Sequence, residues 1–451
     1  MKAVIWIAGV GSLCALLGAG QPAFAQLPLP AQPQPPNVPP QGPAQRPVRP
    51  LFGVGTGSFE QSLSGGISFG AGYDVERTTF RAALGPGDEV ETNGPSGFGN
   101  VRLLYSASGG RFSGGASVRG AGFYYRRVST DVRVNSGASV HGGVRLWRSA
   151  TVDATHDVTY APYHFAALSP AEVLEQQQAN PFFDPSTLVQ SSLHQRTSVS
   201  FQQPMPLSRR VSTSWGYGFF GDRRGELRGH QRHELHAAMT IGLTRGIRAR
   251  LGYHYAVGRS HTSGAPGPWA DIHNIDSGID VSRQLALSRQ LGLSFRTGLA
   301  TIGDGRTTHF TMTGGVRLNW AISRTWNAST GFNRDAQFYD DLQAAAVSNR
   351  VQVAVGGAIT RRLLLHGRLG MSSMDQAIGT GDNRVRWTHG SVGLSTNLSA
   401  LVSIGVDYSN SYYSFGDDIV LFPGVPQYRH RQSVHGRVTV FAPLYAVTRR
   451  R

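Results

Sequence analysis

The 451-residue chain has a single cysteine and few charged residues, and outside one loop it has no useful window with helical spacing. Cys14 lies inside an N-terminal apolar run, so the exported chain has no disulfide, no thiol chemistry and no Cys-based metal site. Leu13 precedes it where a lipoprotein signal needs a small residue, which argues against lipidation. Charged residues make up 16% of the chain, well short of the roughly 25% of an average soluble domain. Catalytic signatures are also missing: there is no HExxH, no GxSxG and no metal-spaced cluster among the fifteen histidines. His230, His233 and His236 lie in or beside a polar stretch, so no metal ligand set and no cofactor is expected. Gly53-Val54-Gly55-Thr56-Gly57 is followed by no helix pattern and is not a phosphate loop.

The N-terminal segment reads as an export signal over residues 1–25. Lys2 precedes the apolar run Val4 to Gly20, and the small-x-small site Ala23-Phe24-Ala25 precedes Gln26; the alternative is a membrane anchor. Residues 26–57 form a proline-rich spacer, with nearly every second or third residue from Leu27 to Pro50 a proline. Such a run forms no ladder or helix and reads as a semi-rigid tether, or as a docking segment for a cell-wall or envelope partner. The net charge of +16 would suggest nucleic acid in a cytoplasmic protein. In an exported chain it does not, and no nucleic-acid partner is expected.

What the chain has in abundance is alternation of period two. Val211, Thr213, Trp215, Tyr217 and Phe219 take one face against Ser212, Ser214, Gly216 and Gly218. Ile247, Ala249, Leu251, Tyr253 and Tyr255 alternate with Arg248, Arg250, Gly252 and His254. Segments of about 11 to 16 residues exceed the 5 or 6 usual in soluble proteins and suffice for a tilted membrane strand. A short join, aliphatic then Ser or Thr then Arg, recurs at Leu207-Ser208-Arg209, Leu243-Thr244-Arg245, Leu287-Ser288-Arg289, Ile322-Ser323-Arg324 and Ile359-Thr360-Arg361. Leu398-Ser399-Ala400 is a weaker copy. The copies lie about 35 to 44 residues apart, one hairpin plus one longer loop. Aromatics cluster near one end of the ascending segments, at Phe123 to Tyr125, Tyr160 and Tyr163, Phe219 and Phe220, Phe338 and Tyr339, and Tyr412, Tyr413 and Phe415, as an interfacial girdle would. The expected fold is all-β: a transmembrane antiparallel up-and-down β-barrel of about 18 strands, with 16 as the alternative, over residues 58–445, followed by a basic tail at 446–451. Both termini are expected on the periplasmic side.

On this register one polar face carries Arg119, Arg145, Arg196, Arg248, Arg250, Arg296, Arg317, Arg368, Arg429, Arg431 and Arg437. Fewer acids share it: Asp153, Asp157, Glu234, Asp276, Asp280 and Asp407. Expected cross-strand pairs are Arg145 with Asp153, and Asp276 and Asp280 with Arg248 or Arg296. The charges either brace and solvate a wall or make a net positive pore. The longest loop, about Ala166 to Ser192, holds the capping box Ser169-Pro170-Ala171-Glu172 leading into a short helix. Ser169, Glu172 and Glu175 are candidates for a constriction facing the arginines; the alternative is a helix lying over the rim.

With these features the chain resembles the bacterial outer-membrane β-barrel porins, and more loosely the barrel porins of envelope and exopolysaccharide loci. The resemblance covers about residues 58 to 445 and rests on strand periodicity, turn asymmetry, girdles and the loop after the fifth strand. It implies a location in the outer membrane of a Gram-negative cell envelope and contact with outer-membrane lipid and lipopolysaccharide. It also implies insertion by the barrel assembly machinery, and an eyelet near Ser169 to Ala179. One departure is the end YAVTRRR, where such barrels usually close on an aromatic; Phe441 and Tyr445 lie just before it. The acidic pairs Asp340-Asp341 and Asp417-Asp418 either bind Ca²⁺ and bridge lipopolysaccharide or are simply solvated. The roughly 25-residue spacer is too short for the plug of a gated transporter. The expected function is a channel for passive diffusion of small hydrophilic solutes with an anion bias. Its rivals are a structural or export-accessory barrel of a polysaccharide or secretion system, and a hydrolase with its site at the barrel rim.

Overall fold

A chain that alternates greasy and polar residues over a dozen positions can bury one face of a sheet. Here the glycine-, serine- and arginine-rich face is too polar to make a dry core, so the sheet closes around the polar face and turns the greasy one outward. The computed structural model describes residues 59–79, 89–125, 133–147, 149–162, 191–224, 228–262, 265–286, 289–303, 307–339, 344–376, 384–416 and 427–449. They form eighteen strands: β1 (Phe59–Thr79), β2 (Glu89–Ser108), β3 (Phe112–Tyr125), β4 (Arg133–Arg145), β5 (Thr151–Pro162), β6 (Ser191–Pro206), β7 (Val211–Arg224), β8 (Arg228–Gly242) and β9 (Ile247–Thr262) make the first half. The second half is β10 (Ala265–Ala286), β11 (Arg289–Gly303), β12 (Thr308–Ala321), β13 (Trp326–Tyr339), β14 (Ala344–Ala358), β15 (Leu363–Gln376), β16 (Arg384–Asn397), β17 (Val402–Phe415) and β18 (Tyr428–Arg449). Each strand pairs antiparallel with its neighbours in sequence, and β1 pairs with β18 to close the ring. The expected barrel of 18 strands is the fold.

The short joins all fall at one end, between β2 and β3, β4 and β5, and so on to β16 and β17; β1 begins and β18 ends at that same end. The recurrent hydroxyl explains why these joins repeat. The Ser208 side chain accepts the backbone N–H groups of Arg210 and Val211, and Ser323 accepts those of Thr325 and Trp326. Thr360 accepts from Arg362 and Leu363, and Ser399 from Leu401 and Val402. A hydroxyl acceptor two and three residues upstream reverses the chain without a glycine. The aliphatic residue before it, Leu207, Ile359 or Leu398, projects outward at the lower margin of the apolar belt. Residues 287–288 of the Leu287-Ser288-Arg289 copy lie outside the described residues.

The strands run further toward the loop end than alternation alone suggests. β1 reaches Thr79, β2 starts at Glu89 and β10 at Ala265. At the other end β18 continues to Arg449, opposite Phe59, so most of the expected basic tail belongs to the wall. The outward face is apolar, with Phe69, Val118, Val140, Leu235, Ile275, Leu299, Val353, Leu369 and Val406 all at least a third exposed. Two neighbouring aromatics on a strand cannot share a face, which corrects the girdle. Tyr124, Tyr160 and Tyr412 face out, whereas Phe220, Tyr413 and Phe415 fall on the inner register. Tyr163 lies outside the described residues.

Candidate functional site

The inner register carries every arginine singled out from the sequence. Arg119 stands opposite Gly137, Arg145 opposite Thr151, Arg196 opposite Asp157, Arg248 opposite Asp280 and Arg250 opposite Gly278. Arg296 stands opposite Gly315, Arg317 opposite Ser294, Arg368 opposite Ser391, and Arg429, Arg431 and Arg437 opposite Thr78, Glu76 and Gly70. These arginines are in different electrostatic states.

Those of β18 are built into the closing seam. Arg429 grips Glu76 with two parallel bonds, Nε to Oε1 at 2.7 Å and Nη2 to Oε2 at 2.8 Å. Arg431 donates Nη2 to Asp74 Oδ1 at 2.7 Å, and His435 Nε2 lies 3.5 Å from the other oxygen of Asp74 and 3.0 Å from Ser96 Oγ. Arg437 and His366 share Asp407, at 3.4 and 2.9 Å. This chain of charges runs from β1 through β18 and β17 to β15, and Asp74, Arg429, Arg431, His435 and Arg437 are all buried. Glycines on adjacent strands make room for it: a methyl group at Gly72 would overlap the His435 ring, and one at Gly393 would overlap Asp407 and His366.

Two further ion pairs of the inner face lean diagonally. Asp280 bonds Arg250, two residues from the Arg248 that faces it in register, and Arg296 bonds Asp335 and Asn333 across the glycine of β12. The expected pairing of Asp280 with Arg248 is therefore displaced by one turn of the pleat, because a guanidinium reaches past its direct neighbour. Arg145 does not meet Asp153 either; Asp153 stands opposite Gly143. Arg196 lies over the Phe220 ring, 5.2 Å from its centre, with Arg232 at 4.8 Å. Arg145, Arg248 and Arg317 are exposed within the barrel. Among the described residues no ion pair joins Arg145 or Arg248.

Ser169, Glu172 and Glu175, the expected constriction, lie outside the described residues, as do Asp340-Asp341, Asp417-Asp418 and residues 53–57. A different element enters the barrel. β12 pairs with β13 only along Gly314–Ala321, opposite Asn327–Arg334. Above that point β12 pairs with β11 alone, and β13 with β14 alone. The freed end of the β13–β14 hairpin turns inward. Ala336, Phe338, Ala345 and Val347 pack on Ala256, Ile272, Ala300 and Ile302, which belong to the inner faces of β9 to β11. The Phe338 ring lies 5.9 Å from that of His230 on the inner face of β8. Phe338, expected in the girdle, packs inside the barrel instead. Among the described residues no group of three or more His, Cys, Asp or Glu is arranged to hold a metal.

No family model and no curated protein matches the chain. Solved structures similar to it include OccK7 (OpdD) of Pseudomonas aeruginosa, at 12% identity over 86% of this chain and 99% of that one, with a TM-score of 0.43. The outer membrane protein OpdK of the same organism matches at 10% identity, 86% and 99% coverage and a TM-score of 0.41. OccK2 (OpdF), solved in complex with glucuronate, matches at 9% identity, 85% and 98% coverage and a TM-score of 0.43. Similarity this distant assigns neither family nor solute. The strands themselves decide the architecture: closed, antiparallel, apolar outside, polar inside, tight turns at one end. The chain is a closed transmembrane-type β-barrel of eighteen strands.

Proposed function

We propose that this barrel is a channel of the bacterial outer membrane for passive diffusion of small hydrophilic solutes, with a bias toward anions and both termini in the periplasm. One observation carries the reading: a closed wall whose outer face is apolar around the ring while its inner face carries arginine, serine, threonine and glycine. Such an outer face is at home only against hydrocarbon, and only a closed sheet leaves no backbone edge unpaired there. Lipid and lipopolysaccharide would cover it, and insertion would follow the route common to such barrels, through the assembly machinery.

Transport of this kind needs no bond-making residue. The wall sets the electrostatic profile, and whatever enters the lumen sets its width. The eleven inner-face arginines line the proposed path, but they contribute unequally to the bias. Arg429 and Arg431 are cancelled by carboxylates, whereas Arg145 and Arg248 present their charge to the lumen. The test is conductance in a planar bilayer with a salt gradient. Discrete steps and a reversal potential of anionic sign support the reading. A barrel that inserts yet passes no current sinks it and favours a structural or export-accessory role.

A further inference from the structure

The end of the β13–β14 hairpin has a second place to go. Continuing the observed register of β12 and β13 by one hairpin end sets Thr313 opposite Asp335, Met312 opposite Ala336, Thr311 opposite Gln337 and Phe310 opposite Phe338. The parity fits: Phe310 and Met312 face outward on β12, and Ala336 and Phe338 fall on the same outward parity as Phe332, with Val347 and Ala345 beside them across β14. The apolar pattern of the hairpin is thus that of a wall segment, carried on past the point where the hairpin leaves the wall. In the observed arrangement those side chains are buried in the lumen instead, on a strip of four apolar residues on the inner faces of β9 to β11.

The wall beside them shows the vacancy. Phe310 is 71% and Met312 68% exposed, the highest values among the large apolar side chains described, because their β13 neighbours are absent. The edge is held by one side chain. Arg334, at the inflection, donates Nε to the backbone oxygen of Met312 at 2.9 Å, Nη2 to Thr311 Oγ1 at 3.2 Å and Nη1 to Asn349 Oδ1 at 2.8 Å. One guanidinium thus covers part of a strand edge that a zipped β13 would satisfy along its length. Immediately after it, Asp335 is tied to Arg296, which fixes the base of the hairpin to β11.

We propose that the loop-end parts of β13 and β14, residues 335–339 and 344–348, are a gate with two seats. In the inner seat it fills the loop-end mouth of the barrel and leaves a notch between β12 and β13. In the outer seat it zips onto β12, completes the wall and clears the mouth. The two seats are close in energy for a physical reason. The same four apolar side chains are covered in both, by the inner strip in one and by lipid in the other. The outer seat gains a backbone ladder but bares Ala256, Ile272, Ala300 and Ile302 to water. Arg334 is the latch: its bonds to Met312 and Thr311 on β12 belong to the inner seat only, while the one to Asn349, its own partner across β14, travels with the hairpin. This gate rests on the channel reading for its purpose but not for its existence.

The experiment uses Thr311→Cys with Gln337→Cys in the full chain, whose sole natural cysteine, Cys14, precedes the Ala23-Phe24-Ala25 site. The two positions face each other only in the outer seat. Mild oxidation in membranes should link the tryptic peptide 307–317 to 335–350, which mass spectrometry identifies. Adding Ile302→Ser, which weakens the inner seat without touching either cysteine, should raise the linked fraction several-fold. In bilayers the oxidised protein should show larger steps than the reduced protein, reversibly. If no linked peptide forms in either background while both cysteines accept a small maleimide, the second seat does not exist. Linking without any change in step size also overturns the gate. If linking responds to Ile302→Ser but no form of the barrel conducts, the channel reading falls and the two seats stand.

Discussion

Removing the two uncompensated turn-end arginines, Arg145→Gln with Arg248→Gln, should weaken anion preference by an amount that follows from electrostatics. Both side chains are exposed inside the barrel, and among the described residues no carboxylate pairs with either. An ion passing about 10 Å from a guanidinium in water feels about 0.4 kcal/mol, and a Debye length of about 10 Å at 0.1 M salt cuts this to about 0.15 kcal/mol. The anion gains this and the cation loses it, so each arginine shifts the permeability ratio by about 0.3 kcal/mol, or about 1.7-fold. The double variant should therefore lower the chloride-to-potassium ratio about threefold at 0.1 M. At 1 M, where the Debye length is about 3 Å, it should have almost no effect. The assay is the reversal potential of single channels across a KCl gradient, at both salt levels. An unchanged ratio at 0.1 M refutes the assignment of these arginines to the path, and a change that survives 1 M salt refutes the through-water mechanism.

The seam arginines should behave differently. Arg431→Ala leaves Asp74 buried without its main partner and should cost about 3–5 kcal/mol of barrel stability, read as a lowered unfolding midpoint of the heat-modifiable band. Adding Asp74→Asn to it should recover part of that loss, and a single variant as stable as the parent would refute a structural role for the pair. Gly72→Ala forces a methyl into the His435 ring and should cost about 1–3 kcal/mol, whereas Gly99→Ala, which meets nothing within 4 Å, should be nearly silent; equal effects would contradict the cradle. Ser323→Ala removes the acceptor for two turn N–H groups, one exposed and one part-buried, and should cost about 0.5–1.5 kcal/mol in urea unfolding, and Ser323→Thr should restore it; a silent alanine variant would show that water replaces the hydroxyl without loss.

Strand number and order were legible because two independent signals agreed: alternation marked the strands, and a hydroxyl in each tight turn marked the reversals. Strand ends toward the loops were not legible. A segment such as Glu89 to Pro95 stays in the ladder beyond the apolar belt, where outward residues face water and alternation carries no information. Placement of the arginines followed from parity alone, which is why all eleven fall on the inner register. Their charge state did not follow, because it depends on two-residue diagonals such as Arg250 to Asp280 and on glycines that let side chains lie flat.

The hairpin shows the deeper limit of reading alternation. Ala336, Phe338, Ala345 and Val347 carry the pattern of a lipid-facing wall, and that pattern is satisfied equally by any apolar cover. Period two reports that a face meets hydrocarbon; it does not report whether the hydrocarbon is lipid or the far wall of the same barrel. What tips the choice inward is a strip of alanine and isoleucine on β9 to β11, on a face that on these strands otherwise carries Arg248, Arg250, His254, Asn274, Asp276, Asp280 and Arg296. Ala256, Ile272, Ala300 and Ile302 break the polar side of the alternation on three successive strands at one level. The occupant of this patch comes from inside the barrel: among the described residues it is the hairpin whose pairing with its neighbour stops short.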